Sequence, residues 1–125
     1  MPLVKKKISP TKTREILLQA LYQKEISDIS NTNLINQFKK AYREFDISNV
    51  AENLRGINKN NDSLNKSISD NSSIEIKSIG EIEISILRQS IFEIENSDID
   101  YPIVINEAVK LSLIHISEPT RQDSI

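Results

Sequence analysis

Ile74-Glu75-Ile76-Lys77-Ser78-Ile79-Gly80-Glu81-Ile82-Glu83-Ile84-Ser85-Ile86-Leu87-Arg88-Gln89-Ser90-Ile91-Phe92-Glu93-Ile94 is the stretch on which the fold class turns. Its first half alternates apolar and polar residues, the period of a half-buried strand. A helix competes for the same residues. Ser78 and Glu81 form a Ser-x-x-Glu capping box, in which the two residues satisfy amides left over at a helix start. Ile79, Ile82, Ile86, Leu87, Ile91 and Ile94 then fall on one helical face. The helical reading is preferred.

The flanking sequence points the same way. Ser9 suits an N-cap and Pro10 the first helical position. Ile16, Leu17, Ala20 and Leu21 follow at helical spacing, flanked by Tyr22 and Ile26. Leu34, Ile35, Phe38, Ala41, Tyr42 and Phe45 predict a second helix. Ile47, Val50, Ala51, Leu54 and Ile57 predict a third, in which Gly56 marks either close packing or a bend. Residues 58–73 are polar, with only Leu64 and Ile68 to support a short helix on a connection. After a loop at 95–101, Asp100 can cap a last helix with Pro102 in its first turn. Ile105, Ala108 and Val109 form its apolar side. The expected class is all-α.

Composition excludes several kinds of chemistry. The 125 residues include no Cys and a single His, so disulfides, thiolate chemistry and a His-rich metal site are ruled out. No segment has the length to span a bilayer, and the N-terminus lacks a signal-peptide pattern. A cytoplasmic protein without a cofactor is expected. Net charge is −2, yet Lys5, Lys6, Lys7, Lys12 and Arg14 precede the first acid, Glu15. A basic arm on an acidic protein suits a nucleic-acid partner; a merely solvated tail has the same composition.

Four blocks, in order, resemble the NusB family. They are Thr13-Arg14-Glu15-Ile16-Leu17-Leu18-Gln19-Ala20-Leu21-Tyr22, then Asn53-Leu54-Arg55-Gly56-Ile57. Glu83 with Ile86-Leu87-Arg88 and Phe92-Glu93-Ile94 comes next, and Ser97-Asp98-Ile99 through Ile105-Asn106-Glu107-Ala108-Val109 is last. The resemblance implies two small helical bundles and a non-enzymatic transcription antitermination factor. Such a factor binds boxA-type RNA together with NusE, a small-subunit ribosomal protein, within the RNA polymerase antitermination complex. A homodimer is also compatible, and no membrane is involved. It implies RNA contacts from Lys5, Lys6, Lys7, Lys12, Arg14 and Arg88, and a NusE-facing surface at Tyr22, Ile26 and Glu83. Asn106 and Glu107 are expected to order the last helix and its neighbours. Arg88 has a competing role, an ion pair with Glu93 or a helix C-terminus, and Tyr22 a competing place in the core. Lys stands where the family favours an unbroken Arg-rich run, and Ile8-Ser9-Pro10 interrupts it. Lys lacks the bidentate fork of Arg. Two other readings fit the same fold: the N-terminal domain of a ribosomal RNA cytosine methyltransferase, and a protein-interaction module without RNA.

The expected organisation is a basic arm at 1–12, an N-terminal bundle at 13–57, a partial C-terminal bundle at 58–110 and a foreign tail at 111–125. Leu111-Ser112-Leu113-Ile114-His115-Ile116-Ser117-Glu118-Pro119-Thr120-Arg121 reads, residue for residue, as the translation of a transposase-type library adapter. Leu111 and Ser112 suit either reading. The second bundle is therefore expected to lack its last helix, and His115 to be no site.

Overall fold

A computed structural model describes residues 4–73 and 75–116, with side chains through Ser112. Six α-helices account for most of it: α1 (Pro10–Ile26), α2 (Asn31–Ala41), α3 (Ser48–Lys59), α4 (Asn61–Asp70), α5 (Glu81–Asn96) and α6 (Tyr101–Ile116). The proposed tail lies outside the described residues from 117 onward, and Ile74 lies outside them as well.

The helix starts follow from local chemistry. The Ser9 hydroxyl accepts the Lys12 N–H at 3.0 Å, and Pro10 occupies the first turn of α1, where its missing N–H costs nothing. Ser30 caps α2 in the same way through Asn33 N–H. Asp46 accepts the Ser48 N–H at the start of α3.

One core joins α1, α2 and α3 around Ile16, Leu17, Leu34, Phe38, Val50, Leu54 and Ile57, and Leu64 of α4 belongs to it. Burying each such side chain contributes roughly 1.5–3 kcal/mol. A second cluster joins Leu18 of α1, Ile86 of α5 and Leu111 of α6, with Ile82 and Ala108 beside it. The first helix is thus buried on two sides, with Ile16, Leu17, Leu18, Ala20 and Leu21 all buried.

The 74–94 stretch is helical, but it begins later than its capping box predicts. Ile76–Ser78 form a 3-10 turn and Gly80, not Ser78, is the N-cap of α5. The carboxylate of Glu83 instead folds back over Gly80, occupying the space a side chain there would need. The buried face also differs from the expected one. Ile84, Ser85, Ile86, Arg88 and Gln89 are buried, whereas Leu87 and Ile94 are exposed. Helix α5 packs on α1, α3, α4 and α6, so no single stripe describes it.

Two further expectations need correction. Helix α2 ends at Ala41, which is exposed, because the chain turns at Tyr42 and carries Phe45 into a backbone bridge with Lys6. In α6 the inward residues are Val104 and Leu111, with Ala108 beside them; Ile105 and Val109 are about half exposed. Gly56 marks close packing: a Cβ there would run into the ring of Phe92, which sits against α3.

Candidate nucleic-acid interface

The basic arm is fixed at its middle. Lys6 N–H donates to the Glu44 carbonyl at 2.8 Å, and Asp46 N–H donates to the Lys6 carbonyl at 2.7 Å. These bonds make a parallel bridge between Lys6 and Phe45, and Ile8 packs on the main core. Lys5, Lys6 and Lys7 remain exposed. The Asp46 carboxyl lies below the usual carboxylate range, chiefly through hydrogen bonds from Ser48 and further through the charges of Lys5 and Lys7. Lys12, on the first turn of α1, is exposed and lies 3.6 Å from Glu15.

Arg14 is placed differently from the lysines. It is buried, and its Nε and Nη2 donate to the two carboxylate oxygens of Glu93 at 3.0 and 2.6 Å. Its Nη1 lies 3.5 Å from Glu107. The Glu93 hydrogen bond favours the charged guanidinium most, burial opposes it, and the two acids add to the first effect; the Arg14 pKa rises above its ordinary value. Glu107 also accepts from Thr11 at 3.0 Å and from Lys110 at 3.2 Å. Burial disfavours its ionised form, but those hydrogen bonds and the charges of Lys110 and Arg14 outweigh it. The carboxyl is held below its ordinary value. The cluster ties α1 to α5 and α6, so Glu107 does order its neighbours, as expected from its motif.

Arg88 is buried too. It donates from Nη1 to Glu25 at 2.6 Å and from Nε to Asn65 at 3.0 Å. The ion pair that competes with a role on RNA is therefore formed, with Glu25 of α1 as partner and not Glu93. Of the residues expected to face NusE, Tyr22 is half-buried, while Ile26 and Glu83 are exposed. Tyr22 and Ile26 stand one turn apart on α1. No hydrogen bond or ion pair joins Glu83 to either among the described residues.

A cavity of about 320 Å³ opens beside the arm, unannounced by any motif. Ile8, Pro10, Thr13, Arg14 and Leu17 form one side, Asn49 and Asn53 of α3 another. The end of α5 and the following loop close it with Gln89, Phe92, Glu93, Asn96, Ser97 and Ile99. The Asn49–Asn53 spacing of four is its one trace in the sequence. The described residues hold no group of three or more His, Cys, Asp or Glu that fits a metal ion, and no helix among them is long and apolar enough to cross a membrane.

The described residues make a small helical protein with a fixed lysine arm at the head of α1. Comparison with known proteins narrows this. The sequence profile of the NusB family matches residues 11–115. The transcription antitermination protein NusB of Buchnera aphidicola subsp. Baizongia pistaciae is 38% identical over 104 residues, covering 81% of this chain and 72% of that protein. Those of Pectobacterium carotovorum and Yersinia enterocolitica are 28% identical over 114 residues and 31% over 104, covering 82% and 75% of their lengths. The chain belongs to the NusB family.

Proposed function

We propose that this protein is a transcription antitermination factor that binds boxA-type RNA jointly with NusE, in the complex formed with RNA polymerase. The observation that carries the reading is the arm: three exposed lysines in a row on backbone fixed by the Lys6 bridge, with Lys12 beyond them. A fixed row of cations meets successive phosphates without first having to be ordered. Arg14 enters as a positioning residue, since both its faces are taken by Glu93 and Glu107. Arg88 likewise holds α5 to α1 and α4. Tyr22, Ile26 and Glu83 are the NusE-facing residues of the proposal.

The test is the salt dependence of RNA binding. Four lysine–phosphate contacts at about −0.7 each give a log–log slope of roughly −2 to −3 on single-stranded RNA. Replacing Lys5, Lys6 and Lys7 by Ala removes three exposed charges, two of which also act on Asp46, and should weaken binding to a boxA-like RNA and flatten the slope by about 2. NusE should raise RNA affinity, and RNA should raise NusE affinity by the same factor. An unchanged slope, or RNA affinity indifferent to NusE, sinks the respective part.

A further inference from the structure

The geometry points to a second element of recognition: the cavity beside the arm takes one unstacked nucleobase that carries an exocyclic amino group, from the strand whose phosphates lie on the lysines. This rests on the RNA-binding reading and extends it from backbone to base. Four carboxamides line the cavity, Asn49, Asn53, Gln89 and Asn96, and in the last three the amide nitrogen is fixed by a backbone carbonyl. Asn53 Nδ2 donates to the Asn49 carbonyl at 2.8 Å, Asn96 Nδ2 to the Phe92 carbonyl at 2.9 Å, and Gln89 Nε2 to the Arg14 carbonyl at 3.2 Å. A carbonyl accepts only from the nitrogen end, so the oxygen end of each amide is settled by chemistry. Gln89 is 3% exposed, and its Oε1 is buried without a hydrogen-bond partner among the described residues. A buried acceptor left unpaired costs free energy, which a donor in the cavity recovers once Gln89 shifts to meet it.

The remaining lining is apolar, with Ile8, Leu17, Phe92 and Ile99 offering surface to a flat ring. The volume lies at the small end of ligand pockets. The ligand is therefore flat, with N–H donors along its edge. Adenine, cytosine and guanine have that edge. Uracil offers one N–H between two carbonyls and so satisfies fewer acceptors. Arg14 and Glu93 neutralise each other at the wall, so the cavity itself offers no charge to a phosphate; the phosphates fall to the arm. Ile8 lines the cavity and directly follows Lys7, which fixes the distance between the two kinds of contact. Single-stranded RNA is recognised in general by splayed bases read along their edges.

The experiment measures binding of the 125-residue chain to oligouridylate and to the same oligomer with one central adenosine. A third oligomer has purine riboside, which lacks the amino group, at that position, and free AMP forms a fourth arm. One adenosine should raise affinity by about ten-fold over uridine, and purine riboside should lose that gain. Asn53→Val, at a half-buried position, should erase the adenosine preference. Equal affinity for the three oligomers, with the lysine-dependent salt slope present, overturns the base pocket and leaves the arm standing. Absence of binding to every oligomer overturns both. AMP bound as tightly as the adenosine oligomer overturns the assignment to a base within a strand.

Discussion

Residue 107 shows how one side chain joins parts of the chain that are remote in sequence. Its carboxylate accepts from Thr11 and Lys110 and lies beside Arg14, and it is held below its ordinary pKa. A carboxyl depressed in the folded state stabilises the fold above its unfolded pKa, and that contribution disappears as pH falls through the folded value. Glu107→Gln should therefore cost about 1 kcal/mol at pH 7. The difference from the parent chain should shrink once pH drops below about 4. Urea unfolding at pH 7 and at pH 3.5 checks this, and an equal gap at both would disprove it. Arg14→Ala is the harsher change, costing about 2–4 kcal/mol, because it leaves Glu93 and Glu107 facing one another with no cation between them. The residue types of this cluster are plain in the sequence. Its pairing is not: Arg14 and Glu93 are 79 positions apart, and nothing local joins them.

One helix start was legible through its cap, that of α1, whereas the capping box at Ser78 and Glu81 misplaced the start of α5. Ser9-Pro10 placed the start of α1. The end of α2 was hidden because Tyr42 and Phe45 keep the apolar spacing; they remain half-buried by a turn and an arm contact that no helical wheel represents. The orientation of α6 was hidden because Ile103, Val104, Ile105 and Val109 surround the helix, so the sequence does not single out Val104. Close packing at Gly56 was one of two readings its position allowed; the partner, Phe92 of α5, was not legible. Gly56→Ala tests the contact. Alanine favours a helix by about 1 kcal/mol over glycine, yet the methyl group here meets the Phe92 ring. Overpacking typically costs about 1–3 kcal/mol, so a net loss of stability is expected, recovered when Phe92→Leu is added. A denaturation midpoint that rises for Gly56→Ala alone would show that the helices separate freely.

Across the whole molecule, apolar surface is unevenly distributed. Tyr101, Ile105 and Val109 follow one another at successive turns of α6, each about half exposed or more. Replacing Ile105 and Val109 by Lys should leave stability within about 0.5 kcal/mol per site, as for ordinary surface positions. Val104→Lys, one residue away but buried, should abolish cooperative unfolding. A large loss from the exposed pair, seen in thermal melts, would mean that this side of α6 is covered. One apolar face of α1, at Ile16, Leu17, Ala20 and Leu21, was legible; its second buried side, at Leu18, was not. Which helices cover each side was hidden too, because that depends on the return of α5 and α6.

That return has a consequence for synthesis. The ribosome releases α1 well before α5 and α6, which supply Glu93 and Glu107 to neutralise Arg14 and Ile86 and Leu111 to cover Leu18. At roughly 5–20 residues per second, the opening helix waits several seconds for them. For that interval the nascent chain can assemble α1 with α2 and α3 but must carry one uncovered apolar flank and one unneutralised guanidinium. The flanks of α1 are closed only when α5 and α6 have been made.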